Sequence, residues 1–382
     1  MKPKFYTLIF LFFAAILLDS CKSASKLYKQ GNYDEAVQTA VKKLQKKPDD
    51  ADMKALIVSA YQYAVTDHEN RIADYNSNSN DLKYEWIYSE YADLQNLYNA
   101  IFNAPQVYEL VKPVNYSSYV TTYREKASDA HVARGLSWMK QTDRESAKKA
   151  YYEFQTALSF APGNIKIQQF LNNSYDAALT RVVVSQIDNY GFQYSSYNSS
   201  LRNSGDEIIN KLSYNSGNEF VKFYSVPDAR NQKIEPDQVV ELRLNDINIG
   251  RVQEDRYTKE VTKDVVIKEI VFKPDSVVKV YGKVKAKITT IKRTLVSNGN
   301  LGITVRNNNG AALWNDNVYG DNKWSTEFST YTGDERALSD EDKHLINRRE
   351  DNIPGQVSII DCIKQEVYNN ALNRIKDYYS RY

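Results

Sequence analysis

From Ala24 to about Ala178, apolar residues recur at intervals of three and four. The prolines of that stretch, Pro48, Pro105, Pro113 and Pro162, stand where one helix would give way to the next. This half is predicted to be all-α. After Asn172-Asn173-Ser174 the period changes. Arg181–Ile187 is a β-branched run, Leu201–Leu212 contains a helical stretch with Ile208, Ile209 and Leu212, and Phe220–Tyr224 reads as a second strand. Strand, helix, strand in that order implies a parallel pair joined by a right-handed crossover.

Further strands follow. Asp237–Asn245 places Val240, Leu242 and Leu244 on one face. From Val277 to about Thr290 the alternation is cleaner: Val278, Val280, Val284, Ala286 and Ile288 take the face expected to be buried, and Lys279, Tyr281, Lys283, Lys285 and Lys287 take the other. Leu301–Val305 and Ala311–Trp314 flank a hairpin turn at Arg306–Gly310, whose Asn and Gly residues tolerate positive φ. A mixed or antiparallel sheet is expected. Towards the carboxy terminus, Ser339 and Asp342 have capping-box spacing with Asp in place of Glu, and Pro354-Gly355 marks a break. Beyond it Ile359, Ile363, Val367, Ala371, Ile375 and Tyr379 recur every four residues, widened by Leu372 and Tyr378, so this helix should pack on the sheet.

The expected fold class is therefore α+β and multidomain: a helical-repeat half, then an α/β sandwich with a mixed sheet and a carboxy-terminal helix. The domains read as a signal segment at 1–20, helices over 21–178, an α/β domain over 179–338 and helices over 339–382 packing on it.

The amino terminus sets the compartment. Lys2 and Lys4 precede an uninterrupted apolar run of 11 residues, Leu8–Leu18. As a helix it would span about 16 Å, short of the roughly 30 Å hydrocarbon core, so it reads as a cleaved signal peptide and not a membrane span. An ordinary secretory signal with a coincidental Cys21 is the plainer alternative to a lipoprotein signal. Lipidation at Cys21 would leave Cys362 as the one remaining thiol, because the chain has 2 Cys; no intrachain disulfide could form. Cys362 lies beside the apolar stripe of the last helix and is expected to be a small buried side chain.

The 382 residues carry 50 Lys+Arg against 48 Asp+Glu, a net charge of +2, which gives no general pull towards nucleic acid. One local patch stands out. Between Lys259 and Arg293 there are ten basic and four acidic side chains, and Lys279, Lys283, Lys285 and Lys287 share one strand face. That face could meet an anionic glycan, lipid headgroups or an acidic protein, or it could be a solvated edge guarded by lysine. Tyrosine is dense on two successive helices, where Tyr61, Tyr84, Tyr88 and Tyr91 could line a groove for peptide or glycan, or simply pack between helices. His68, His131 and His344 lack metal-ligand spacing, and no phosphate-cradling or nucleophile-elbow motif is present, so neither a cofactor nor catalysis is expected and each His reads as an ordinary polar residue.

Four resemblances add to this reading. Leu18-Asp19-Ser20-Cys21 resembles a bacterial lipobox, although Asp19 stands where an uncharged small residue is commoner. The resemblance implies a diacylglycerol thioether on Cys21. Lys22, in place of a retention Asp, then implies the outer membrane, and the absence of an acidic cluster over Ser23-Ala24-Ser25-Lys26 implies its periplasmic face. Leu27, Gly31, Tyr33, Ala36, Leu44 and Pro48, and again Ala150, Phe154, Ala157 and Pro162 after Gly135 and Trp138, are similar to tetratricopeptide repeats. Over residues 180–335, the order of TRVVVSQIDNYG, DEIINKLSY, FVKFYS, DQVVELRLNDI, VVKVYGKVKAKI and GAALWNDNVYG resembles the α/β domain of curli-secretion lipoproteins and of lipoprotein activators of penicillin-binding proteins. The Asn- and Tyr-rich composition is similar to that of Bacteroidota proteins.

Together these imply a non-enzymatic lipoprotein that scaffolds or activates an envelope machine through a protein partner, in cell-wall synthesis or secretion. The alternative is a module that binds peptidoglycan or polysaccharide. Because two acyl chains suffice for stable anchoring, Cys21→Ser should move the protein from the membrane pellet to the soluble periplasmic fraction. Quantitative retention in membranes at high salt would contradict the lipobox reading.

Overall fold

The computed structural model describes residues 23–185, 208–214, 217–273 and 276–382. Cys21 and the signal segment lie outside the described residues, as does most of the 201–212 helical stretch. The chain divides into two compact units, Met1–Ala178 and Leu179–Tyr382.

The first unit is helical: α1 (Ala24–Lys29), α2 (Tyr33–Lys46), α3 (Ala51–Ser77), α4 (Lys83–Phe102), α5 (Pro105–Val111), α6 (Ser117–Trp138), α7 (Arg144–Phe160) and α8 (Ile165–Ala178). Local chemistry sets the boundaries. Gly31 at φ +79° turns α1 into α2, a conformation that costs glycine little. Asp50 and Asp143 cap α3 and α7, accepting from the Met53 N–H at 3.1 Å and the Ser146 N–H at 2.9 Å, and Pro105 opens α5. Gly135 lets α6 and α7 close together: a Cβ there would stand 2.6 Å from the ring of Phe154, which is fully buried.

Two histidines bind this stack together, so the expectation of ordinary polar residues fails for both. His68 on α3 is 2% exposed, with Nδ1 2.5 Å from Glu90 on α4 and Nε2 3.0 Å from Asp34 on α2. His131 on α6 is 6% exposed, with Nδ1 2.7 Å from Glu153 on α7 and Nε2 3.3 Å from Glu85 on α4. In each case an arginine one turn on, Arg71 or Arg134, holds the same Glu at 2.9 Å. The steps from 68 to 131, 71 to 134 and 90 to 153 are all 63 residues, so one clamp occurs twice. Each joins a middle helix to the helices packed on either side of it.

The second unit is a mixed sheet with helices: β1 (Thr180–Val184), β2 (Val221–Ser225), α9 (Val226–Asn231), β3 (Gln238–Ile249), β4 (Gln253–Lys273), β5 (Ser276–Asn307), β6 (Ala312–Gly333), α10 (Asp340–Asn347) and α11 (Gln356–Tyr379). The sheet order is β2-β1-β3-β5-β4, with β6 on the other side of β5. β1 pairs in parallel with both β2 and β3, and the remaining pairings are antiparallel. The architecture is α+β, as the patterning implied. Both arms of the Ser339–Asp342 capping box are made, at 3.1 Å each.

Three details correct the sequence reading. The separate strands expected at 277–290 and 301–305 are one strand of 32 residues, and β4, which the pattern did not announce, runs beside it for 21. Cys362 is exposed, because it falls outside the buried row of α11. The last helix does cover the sheet, with Ile359, Ile363, Val367, Ala371, Ile375 and Tyr379 each at most 3% exposed, but the close approach depends on glycines. Gly299 and Gly320 are cross-strand partners. A Cβ on Gly299 would lie 2.5 Å from Ile363 Cγ2, and one on Gly320 would lie 2.7 Å from Val367 Cγ2.

Two outcomes follow from this packing. Gly320→Val must push α11 off the sheet, an overpacking cost of about 1–3 kcal/mol that should lower the melting temperature of the sheet unit by roughly 2–12 °C. A melting point within 1 °C of the parent would contradict that packing. For His68, burial alone would lower the pKa, and Arg71 Nη2, 2.8 Å from Nδ1, also opposes protonation; the hydrogen bond and charge of Asp34 and the hydrogen bond to Glu90 outweigh both and hold it above its ordinary value. With the folded value raised, the stabilisation is fully present below the unfolded pKa of about 6.5 and is lost as pH rises through the folded one. His68→Gln should therefore destabilise the full chain by about 2 kcal/mol near pH 6, less than for a fully buried pair because Asp34 is partly solvated. The gap between variant and parent should narrow on raising the pH. A gap independent of pH would contradict the charged clamp.

Candidate functional site

The four candidate lysines lie on the outer part of β5, in the ribbon that β4 and β5 form alone beyond the end of β6. β6 stops pairing at Gly333, opposite Ala286, and the Asp334 N–H then donates to the Lys285 carbonyl at 3.0 Å as the chain leaves the sheet. Residues paired across an antiparallel ladder share a face. Lys279 stands opposite Glu269, Lys283 opposite Asp264, Lys285 opposite Thr262 and Lys287 opposite Glu260. The Lys279–Glu269 ion pair is 3.8 Å long. The patch read as basic is therefore a ladder of matched charges, because three of the acids in this stretch fall on the lysines' own face. Nothing in the sequence showed this until β4 was recognised as their partner.

The opposite face is also unlike the expectation. Only Ala286 and Ile288, at 3% and 1% exposure, are buried; Val280 and Val284 are half-buried and Val278 is 51% exposed. The strict alternation is real, but over the outer half of the ribbon it divides charge from apolar surface without placing that surface in a core.

The four candidate tyrosines do not converge on one groove. Tyr61 is buried, and its hydroxyl accepts the Val114 N–H at 3.0 Å. Burial pushes its phenol above the usual tyrosine range. Tyr84, Tyr88 and Tyr91 lie along one face of α4, and each meets a different neighbour. Lys126 stands 5.8 Å from the Tyr84 ring, Phe160 packs edge-on to Tyr88 at 5.5 Å, and Tyr119 and Tyr123 stack on Tyr91 at 4.9 and 5.2 Å. These contacts are largely packing between helices. The exposed rings are others: Tyr63, 53% exposed, stacks on Tyr33 at 5.3 Å, and Phe102, 57% exposed, stacks on Tyr98 at 5.6 Å. Their signal in the sequence was an aromatic residue on the polar side of a helix.

A cleft of about 570 Å³ in the second unit was not foreseen. Trp314 on β6 stacks on Tyr378 of α11 at 4.8 Å, with Asn315, Asp377, Arg381 and Tyr382 around them, and Arg374 is held to Asp316 at 2.9 Å. Among the described residues, no helix is long and apolar enough to cross a membrane.

No family model and no curated protein matches the chain. Among solved structures, a neuraminyllactose-binding hemagglutinin homolog from Helicobacter pylori aligns at 12% identity with a TM-score of 0.26, covering 52% of this chain and 84% of that one. A likeness of that size carries no functional argument.

The charge ladder is open to test. Reversing Lys279, Lys283 and Lys287 together to Glu sets like charges directly across the ribbon, whereas Lys285→Glu faces only a threonine. Chymotryptic nicking at Tyr281 should be several-fold faster in the triple variant and close to the parent rate in Lys285→Glu. Equal rates in the two variants would contradict the register.

Proposed function

We propose that this chain is a non-enzymatic lipoprotein of the outer membrane, facing the periplasm, that serves as an adaptor for an envelope machine by binding a protein partner. The lipobox-like segment at Cys21 supports the anchor, and the exposed ring pairs of the helical unit support the partner. Tyr33–Tyr63 and Tyr98–Phe102 present large aromatic side chains on the outside of a unit whose cores are already closed, and such rings are favoured anchors at protein interfaces. That surplus of exposed aromatic surface is the observation that carries the reading.

A second reading, a glycan-binding module for peptidoglycan or polysaccharide, is favoured by the Trp314–Tyr378 cleft. Stacked rings beside planar polar side chains suit the apolar face and hydroxyls of a sugar. It no longer rests on the lysines, whose charge is largely matched.

One experiment separates the two. Pull-down from solubilised envelope should recover a partner that a Tyr63→Ser/Phe102→Ser variant loses, while sedimentation with purified cell wall should be unaffected by Trp314→Ala. Sedimentation that depends on Trp314, with no partner sensitive to Tyr63 and Phe102, would favour the glycan module instead.

A further inference from the structure

We propose that the uncovered outer part of the ribbon's apolar face is a docking surface for an acidic amphipathic segment of a protein partner. This deepens the adaptor reading and rests on it, but it concerns a surface separate from the aromatic rings of the helical unit.

The face is defined by register. Val278, Val280, Val284, Ala286 and Ile288 on β5 share it with Ile270, Lys268, Lys263, Val261 and Lys259 on β4. It is therefore an apolar row with lysines along one margin, and its opposite side is the matched charge ladder. Ile267, the bulged residue of β4, folds over Gly282, where a Cβ would meet Ile267 Cδ1 at 2.8 Å; its side chain stays 56% exposed.

The chain itself shows what fits this surface, because it covers the inner end. Ala337, Leu338 and Ile346 pack on Ala286 and Ile288, and Asp342, at the start of α10, takes the margin lysine Lys259 at 2.7 Å. That carboxyl is 5% exposed and is held below the usual carboxylate range by Lys259 and by Ser339. The cover thus combines apolar side chains for the row with a carboxylate for the lysine. The same combination of surface features then continues outwards past that cover: Lys263 faces Val284, which still packs against the covered cluster, and Lys268 faces Val280, with Ile267 over Gly282 between them and Val278 beyond, and no further segment is seen on it among the described residues. Neither Lys263 nor Lys268 has an ion-pair partner among the described residues. An occupant that continues the pattern carries acidic residues along one side of an apolar stripe.

A lipid surface meets the apolar row less well. Among the described residues, the outer edge of β4, and the side of β5 away from β4 before Ala286, carry no further strand. Backbone groups on such edges lose their hydrogen bonds to water with no replacement when they are taken into hydrocarbon. A protein segment leaves the edges in water.

The test uses the full-length lipidated chain in its host, with a photoreactive phenylalanine analogue in place of Val278 or, on the opposite face, of Lys283. Crosslinking from position 278 should give one discrete protein, mass spectrometry should place the link in an acidic amphipathic segment, and Lys263→Glu/Lys268→Glu should reduce the yield at least tenfold with the circular dichroism spectrum unchanged. Links to lipid, glycan or a second copy of this chain, a linked segment without acidic residues, equal yields from both positions, or no product would each overturn the proposal. Position 63 carries the same analogue as a separate arm. Partner crosslinks from 63 without any from 278 sink this inference and leave the adaptor reading standing; their absence from 63 counts against the adaptor itself.

Discussion

A strand advances about 3.3 Å per residue and a helix about 1.5 Å, and much of the second unit follows from that mismatch. β5, with 32 residues, has a contour of roughly 105 Å, whereas the 24 residues of α11 make a cylinder of about 36 Å. One helix cannot cover such a strand. α11 lies over the inner end, where Leu295, Leu301, Ile303 and Val305 meet it. The short segment with Ala337, Leu338 and Ile346 covers the other face further out, and among the described residues cover gives out on both faces past Val284. The charge ladder makes one of those faces soluble. The other remains apolar, and the proposed partner segment continues the cover that the chain begins.

The helical unit answers a different demand. Its helices are rich in tyrosine and polar residues, and their packing is reinforced by two buried imidazoles that each bridge three helices. In a stack of this kind neighbours bury one another's faces, so a residue that touches the helix before and the helix after transmits order along the array. The 63-residue recurrence of His, Arg and Glu is the strongest sign of internal duplication in the chain, and it lies in polar residues while the apolar positions around it have diverged: Ile72 corresponds to Gly135, and Tyr91 to Phe154. The exchange at Gly135 is compensated by the ring of Phe154 filling the space that its missing side chain leaves.

Much of the fold was legible because it is written in apolar period. The stripe of α11, the prolines between helices, the parallel β1–β2 pair and the Ser339–Asp342 cap could all be read directly. What could not be read was partnership. β4 has charged residues on both faces and so gives no apolar alternation; without it, Lys279, Lys283 and Lys287 look like a basic patch. Gly299 sits in Ser297-Asn298-Gly299-Asn300, whose composition resembles a turn, yet it lies in mid-strand because α11 needs the space. The histidines looked isolated because their carboxylates are 22 or more residues away in sequence. For the tyrosines the periodicity located the helices but not the depth of each ring, and so the buried Tyr61 was grouped with the half-buried Tyr84, Tyr88 and Tyr91.

Among the described residues the sheet outruns its cover and leaves the outer β4–β5 ribbon standing as a two-stranded arm. Hydrogen exchange on the full-length chain measures this directly, since amides under a packed core open only with the whole unit while those in an uncovered ribbon open locally. Strong protection is expected over 295–307 and over the α11 stripe, and protection at least a hundredfold weaker over 277–284. Protection over 277–284 equal to that of 295–307 in the isolated protein would mean that the ribbon is already covered and is no free-standing arm.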